Sequence, residues 1–534
     1  MRLTEEQAEI QDAAAALRPG ESLKVVAFAG AGKTTTLKAC AEARRDRGIY
    51  LAFNASIAKE AQERLASTKC PARTMHSVAW SVMRNMAGQP SALTPLDLAR
   101  SDVMQQAGLP RIRGWGDLRY AAAVIRTMNA FAASADEDIA PGHARQALID
   151  ALGDPEVLQN ANAERAEHVS EVLRMLEDPL ARLAEAWWVN RMLAGSYSHD
   201  MYLKMLDIDE EMRVNAFAGM RYIMIDEAQD INPVQRSIIT KTGLPLVAVG
   251  DPYQQIYSWR GAENALSQLP GQTLYLTQSF RFGEGIAADA RRIFASRPDG
   301  GPEQQLQGAG PGQLGDDETY AIICRTNIGR LDEAIVCINR NIPVFVDNIE
   351  SLCQEVDSAL ALKAGKTDEV RSPELKCFES WDEMKQVASY SKDPGLESLV
   401  DLVESGRARE VQQLKARQER QQQDLSGGKS RPQVLICTAH RSKGLEFDAV
   451  KLGDDWPDID QMASRFAKAS EMSGAQKAAA IESWNCLYVA VTRSIRRCSN
   501  HEKLLEPDRP DARNGDDAAA SGEVDERPAT RCEP

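Results

Sequence analysis

The stretch from Lys24 to Leu37, "KVVAFAGAGKTTTL", constrains this chain more than any other. "KVVAF" reads as a buried strand, glycines follow at 30 and 32, and Lys33 with three threonines then opens a helical pattern. Strand, glycine turn and helix in that order form the local framework of a loop that wraps phosphate oxygens. Gly30 and Gly32 let backbone N–H groups turn inward, and the helix N-terminus adds favourable dipole charge for an anion. In this reading Gly30, Ala31, Gly32, Lys33, Thr34 and Thr35 cradle a nucleotide. Lys33 reaches its β- and γ-phosphates, and the Thr34 hydroxyl binds Mg²⁺. The pattern GxxxxGK[ST] begins with Gly where this chain has Ala27.

Similar apolar runs recur along the chain: "IYLAF" at 49–53, "YIMI" at 222–225, "PLVAV" at 245–249, "TLYL" at 273–276, "YAIIC" at 320–324, "VLIC" at 434–437 and "AVKL" at 449–452. Helical patterns lie between several of them. This alternation predicts an α/β protein with parallel sheets, in two blocks that meet near residue 275. Each block is interrupted by a mainly helical stretch. The expected divisions are 1–84, an insertion at 85–215, and 216–275 for the first block. The second comprises 276–347, a short insertion at 348–432, and 433–504. The polar "REVQQLKARQERQQQD" reads as a solvated helix face. Residues 505–534 carry almost no apolar side chains and read as a disordered acidic tail. Trp187 and Trp188, in "LAEAWWVNRML", read as helix core.

Composition narrows the function classes. With 534 residues the chain has room for about three or four domain-sized units. No apolar run approaches the roughly 20 residues of a membrane span, and the charged start is unlike a secretory signal, so a cytoplasmic, membrane-free protein is expected. Ten cysteines without a CxxC pair give no zinc or iron–sulfur spacing and read as reduced, partly buried thiols. The net charge is −15; nine Asp/Glu and four Arg from Leu505 to Pro534 leave that segment at −5 and the rest at −10. A nucleic-acid partner would therefore need a local basic groove.

Two further stretches carry chemistry. In "YIMIDEAQDI" a buried strand delivers Asp226 and Glu227 to its C-terminal end, where α/β sheets place ligands. One carboxylate, Asp226, suits Mg²⁺; the other, Glu227, suits orienting and deprotonating an attacking water. In "VGDPYQQIYSWRGA", Tyr257 and Trp259 are two apart and face one way in an extended segment. Their rings suit stacking with bases, and Arg260 suits a phosphate contact. A buried Trp259 and an internal ion pair for Arg260 form the plain alternative.

From Leu3 to about Arg497 these stretches stand in the order of a superfamily 1 helicase of the UvrD/Rep type, which the chain resembles. The resemblance implies two RecA-like domains, ATP and Mg²⁺ as cofactors, and single-stranded and tailed duplex DNA as partners. "LTEEQ" resembles the adenine-reading segment and makes Gln7 an adenine contact. "TMHS" resembles a DNA-contacting motif, with Thr74 and His76 in its contacts; Phe53 and Asn54 join them. "GDPYQQIYSWRGA" assigns γ-phosphate sensing to Gln254. "LTQSFRF" puts Arg281 on the γ-phosphate and Phe280 in the adenine-stacking place. "TAHRSKGLEFDAV" implies DNA contacts for Thr438 and His440 and nucleotide contacts for Gly444 and Glu446; "LYVAVTRS" makes Arg493 a second phosphate arginine. Taken alone, His76 and His440 read more readily as ordinary surface or core histidines, and Phe53 equally as a strand-end core residue.

"YSHDMYLKML" at 197–206, with "SFRF" and "GKTTTL", resembles the F-box DNA helicase branch more narrowly, although no F-box-like segment is expected before the motor. Departures from the family are Ala27, Ala31, Thr35 and the shorter second insertion. The implied activity is ATP-driven 3′→5′ movement on single-stranded DNA with duplex unwinding, in repair, recombination or replication. A translocase that strips bound proteins and a DNA-binding ATP switch that clamps without stepping are the alternatives. Glu227, Gln254, Arg281 and Arg493 make up the catalytic set, and the intact Glu227, Arg281 and Arg493 argue against a switch, which has no need of fast hydrolysis.

Overall fold

All eight apolar runs form strands. The computed structural model describes residues 2–86, 92–93, 103–105, 108–112, 115–156, 163–256, 264–311, 320–372, 375, 378, 380–391, 394–426, 434–469 and 474–505. The first sheet contains β1 (Ser22–Ala27), β2 (Ile49–Ala52) and β3 (Ala72–Thr74). After a two-residue pair, β4 (Ala92–Leu93) with β5 (Ser196–Tyr197), it adds β6 (Ile223–Ile225), β7 (Leu246–Gly250) and β8 (Gln272–Leu276). Its order is β3-β2-β6-β7-β1-β8, with every pairing parallel.

A second short pair, β9 (Gln278–Ser279) with β10 (Gln307–Gly308), leads into the second sheet. That sheet holds β11 (Tyr320–Cys324), β12 (Val344–Val346), β13 (Val434–Thr438), β14 (Phe447–Leu452) and β15 (Ser494–Ser499). Its order is β12-β13-β11-β14-β15, again all parallel. Every residue of β2, β6 and β7 is buried, because helices cover both faces of the sheet. That is why these strands read as unbroken apolar runs. In the two main sheets β3 and β15 have no such run, and β12 (Val344, Phe345 and Val346) is apolar but only three residues long. Each lies at a sheet edge, where one flank needs no apolar partner.

Helices dominate both interruptions. The first holds Asp117–Ala133, Pro141–Leu152 and the 31-residue Ala163–Leu193, followed by His199–Ile208 and Glu210–Ala216. Trp188 is buried against Phe131, and Trp187 packs partly buried on the same core. The second holds Ile349–Lys363, Trp381–Ser391, Pro394–Glu404 and Ala408–Ser426. The last is more than a solvated face: Val411 and Leu414 are buried. The buried Gln418 amide bonds the Val346 N–H and C=O at 2.9 and 3.2 Å, which covers the edge of β12. No helix among the described residues is long and apolar enough to cross a membrane. The eight described cysteines are all free and buried, as expected for reduced thiols. The acidic tail from 506 onward lies outside the described residues.

The two sheets share a buried joint. Phe28 and Ala29, just after β1, belong to the same core as Phe282, Phe294, Trp484 and Tyr488. The rings of Phe28 and Phe294 stand 5.8 Å apart, and those of Phe294 and Tyr488 stand 4.8 Å apart. The Tyr488 hydroxyl accepts from the Ala29 N–H at 3.0 Å and donates to Asp251 Oδ2 at 3.0 Å.

Candidate nucleotide site between the two sheets

The phosphate loop has the backbone that its glycines anticipated. Gly30 and Gly32 sit at φ +74° and +80°, and Gly32 caps helix Lys33–Arg44 from the left-handed region. A Cβ at Gly30 would lie 2.5 Å from Arg281 Cβ and from Ser279 Oγ, so nothing larger fits. At Gly32 it would lie 3.1 Å from Gln7 Nε2 and 3.9 Å from the Phe280 ring. Gln7 and Phe280 thus flank the loop. Gln7 is held by a reciprocal cap with Thr4 at 3.1 and 3.2 Å, and the Phe280 ring is exposed, a face on which a base can stack. Ala31 is buried, as is Ala27 within the β1 core, while Thr34 and Thr35 are half-buried in the first helical turn.

The carboxylates form one hydrogen-bonded set. Lys33 Nζ lies 2.9 and 3.0 Å from the two Glu227 oxygens. Glu227 occupies φ +54°, ψ +44°, a left-handed conformation outside glycine's usual preserve. Asp226 accepts from the Tyr50 hydroxyl at 2.5 Å and from the Glu227 N–H at 2.9 Å. Gln229, fully buried, donates to Glu227 at 2.7 Å and accepts from the Asp251 N–H at 2.9 Å. Burial pulls the Lys33 ammonium down, but Glu227, Asp226 and Asp251 together raise it above its usual value. Burial pushes Glu227 up, yet Lys33 and Lys443 outweigh it and hold this carboxyl at about 2. Asp226 is raised by burial and by the neighbouring Glu227 charge. Asp251 is likewise raised by burial.

Cations from the second sheet face this set. Arg493 is buried, with Nη2 3.2 Å from Gln254 Oε1, Nη1 3.3 Å from the Leu445 carbonyl and Nε 3.1 Å from the Val489 carbonyl. Burial and the nearby Arg281 charge lower its pKa. Gln254 in turn donates to Asp251 Oδ2 at 2.7 Å. Arg281 grips Glu446 Oε1 through Nε at 2.8 Å and Nη2 at 2.5 Å, and donates to the Thr492 carbonyl at 3.0 Å. Lys443 pairs with the buried Asp230 and donates to the Gln254 carbonyl at 2.7 Å. Burial drives Asp230 up to about 6 despite Lys443. Gly444, at φ +87°, has open space where a Cβ would point.

Residues predicted to face DNA are more scattered. Phe53 is exposed at the end of β2 and is therefore no core residue, while Asn54 caps helix Ala55–Arg64 through the Ile57 N–H at 2.9 Å. Thr74 caps helix Met75–Met86 through Ser77 at 3.1 Å. His76 lies 3.6 Å from Asp200 and stacks edge-on against His199 and Tyr202, so "TMHS" and "YSHDMYLKML" meet. Thr438 accepts from the Arg441 N–H at 3.4 Å. His440 faces Glu482 and Cys486. Tyr257, Trp259 and Arg260 lie outside the described residues.

Sequence reasoning gave no role to Gln229, Asp230, Asp251, Lys443 or Tyr488, although each lies within a quoted motif. Tyr50 had no signal beyond its place in an apolar strand.

Comparison with known proteins agrees with this architecture. Residues 7–269 match the UvrD-helicase family, described as the UvrD/REP helicase N-terminal domain. The chain is 27% identical to F-box DNA helicase 1 of Gallus gallus over 95% of its own length and 49% of that protein's. It is 28% identical to F-box DNA helicase protein 1 of Schizosaccharomyces pombe, over 93% of this chain and 57% of the relative. DNA helicase II of Escherichia coli is 32% identical over 142 residues, 25% of this chain and 18% of the relative. The chain thus spans about half the length of the F-box DNA helicases it matches. The matched region carries the glycine–lysine–threonine loop and most of the first parallel sheet, and over it the chain is similar to the N-terminal domain of UvrD/Rep-type helicases.

Proposed function

We propose that this chain is an ATP-dependent DNA helicase that moves along single-stranded DNA, 3′→5′, and unwinds tailed duplexes. The observation that carries the reading is the Arg493–Gln254 contact of 3.2 Å. It joins residues from opposite sheets in a chain of hydrogen bonds that runs on to Asp251 and Gln229 and ends at Glu227, the partner of Lys33.

The residues present fit a magnesium nucleoside triphosphate. Any side chain at Gly30 would collide, so the loop stays thin enough for backbone N–H groups to meet phosphate, and Asp226 and Glu227 converge beside Lys33. Mg²⁺, held by Thr34 and Asp226, would neutralise phosphate charge. Glu227 stays ionised and is suited to take a proton from the attacking water. Lys33 leaves its Glu227 pair for phosphate oxygens, and Arg281 leaves Glu446. Phosphoryl transfer depends mainly on positioning and charge neutralisation, and guanidinium groups supply on the order of 10³–10⁵ in rate. Nucleotide that binds cations of both sheets draws the sheets together, and hydrolysis releases them. DNA as the track is supported by the relatives, which are named DNA helicases.

Strand displacement on 3′-tailed, 5′-tailed and blunt duplexes tests the proposal, with ATP and with a non-hydrolysable analogue. Displacement of the 3′-tailed substrate by ATP alone is expected. DNA-stimulated hydrolysis without displacement of any substrate would overturn the helicase reading in favour of a translocase.

A further inference from the structure

The turn Ala439–Ser442 after β13 brings His440 against helix Gly474–Val491. Its Nε2 lies 3.5 Å from Glu482 Oε1 and 3.9 Å from Cys486 Sγ. The three donor atoms all fall within 4.8 Å of one another. Glu482 and Cys486 are one helical turn apart and share a face. Cys486 is buried while His440 and Glu482 are half-buried, so the cluster is walled on one side and reachable on the other.

A tetrahedral ion with nitrogen and oxygen at roughly 2.0–2.2 Å and sulfur at roughly 2.3 Å holds its donors about 3.3–3.6 Å apart. The His-to-Glu spacing meets that requirement, the thiol has to close on the imidazole by only a few tenths of an ångström, and it already lies within 4.8 Å of the carboxylate oxygen. Imidazole, carboxylate and thiolate together suit a borderline ion; hard ions such as Mg²⁺ and Ca²⁺ take oxygen alone.

We propose that His440, Glu482 and Cys486 form a binding site for a divalent ion of the zinc class, coordinated through Nε2, a carboxylate oxygen and Sγ, with water in the fourth position. Binding displaces the thiol proton to solvent and forms the metal–sulfur bond with no change of oxidation state. The ion ties the turn leading to Lys443, Gly444 and Glu446 to the helix that carries Tyr488 and ends just before Arg493. It braces the second-sheet wall of the nucleotide site without belonging to that site.

Cobalt titration of the untagged, chelator-stripped full chain tests this. One Co²⁺ per chain should bind with a thiolate-to-cobalt charge-transfer band and be displaced by equimolar Zn²⁺. Cys486→Ser should abolish the band. Glu482→Gln should keep the band and weaken Co²⁺ at least about tenfold. Zn²⁺ should raise the melting temperature of the wild type and leave that of Cys486→Ser unmoved. X-ray absorption at the zinc edge of the wild-type complex, which needs no variant to fold, should count one sulfur among the ligands. A band that survives in Cys486→Ser, no band in the folded wild type, or no sulfur at the zinc edge would each overturn the site.

Discussion

At the edge of the first sheet, Lys33, Asp226, Glu227 and Asp251 each follow a strand end by a few residues. At the second, Arg281 follows the short β9, Lys443 follows the turn after β13, and Arg493 directly precedes β15. The first edge is predominantly acidic and the second is basic. The acidic groups are organised among themselves, through Tyr50, Gln229 and Lys33. Two of the basic groups take a side-chain partner from the other edge, Arg493 in Gln254 and Lys443 in Asp230. The lesson is electrostatic: protein oxygens hold the cations that a triphosphate would claim under the proposed function, so nucleotide binding would compete with contacts that already join the halves.

The largest test breaks the acidic edge at its cation. Lys33→Ala removes the ammonium that pairs with Glu227 from its own sheet, and turnover should fall by on the order of 10³ or more. Steady-state hydrolysis on a variant with wild-type circular dichroism measures it, and near-normal turnover would remove Lys33 from the phosphates.

The basic edge should respond differently. Arg493→Ala should lower turnover by on the order of 10³–10⁵ while nucleotide affinity changes only several-fold, because a guanidinium from the opposite sheet acts mainly on transition-state charge. Arg493→Lys should not restore turnover. Its single ammonium cannot reproduce three simultaneous bonds to Gln254, Leu445 and Val489. Affinity that collapses while saturated turnover survives would assign both edges to ground-state binding.

A smaller effect separates Glu227 from Asp230, three residues away. Asp230 is raised from 3.8 to about 6, so the folded chain binds more protons than the unfolded one between those values. Its contribution therefore falls as pH rises through that window, by on the order of 2–3 kcal/mol in all. Asp230→Asn lacks this titration, so its melting temperature relative to wild type should climb as pH goes from about 4 to 6. Glu227, lowered from 4.5 to about 2, has the opposite sign: its contribution is full above the higher value and is lost as pH falls toward the lower. Glu227→Gln should accordingly lose ground relative to wild type as pH rises across that lower window. Parallel slopes for the two variants would break the contrast.

Much of the first edge was legible in sequence because its chemistry is local. "GAGKTT" carries its glycines, lysine and helix start within six residues, and "IMIDE" places two carboxylates at a buried strand's end. The strands that could be read were those with continuous apolar runs, which in β2, β6 and β7 reflect burial on both faces. The polar "SIRRCS" of β15 has no apolar run because it pairs with β14 alone at an edge. The helix through "REVQQLKARQER" looked wholly solvated because a glutamine that caps a strand edge is indistinguishable, in sequence, from one in water.

The sequence by itself determined two parallel α/β sheets with helical interruptions, and a glycine–lysine–threonine loop at the end of one strand. Those features follow from short-range steric and hydrophobic periodicity, which each segment carries alone. Only the tertiary structure decided which charges meet. Arg493 finds Gln254 across 239 positions, Lys443 finds Asp230 across 213, and His440 finds Cys486 across 46. Coulomb attraction and hydrogen bonding act over a few ångströms of space whatever the separation along the chain. Those partners exist only once apolar packing has set the two sheets against each other.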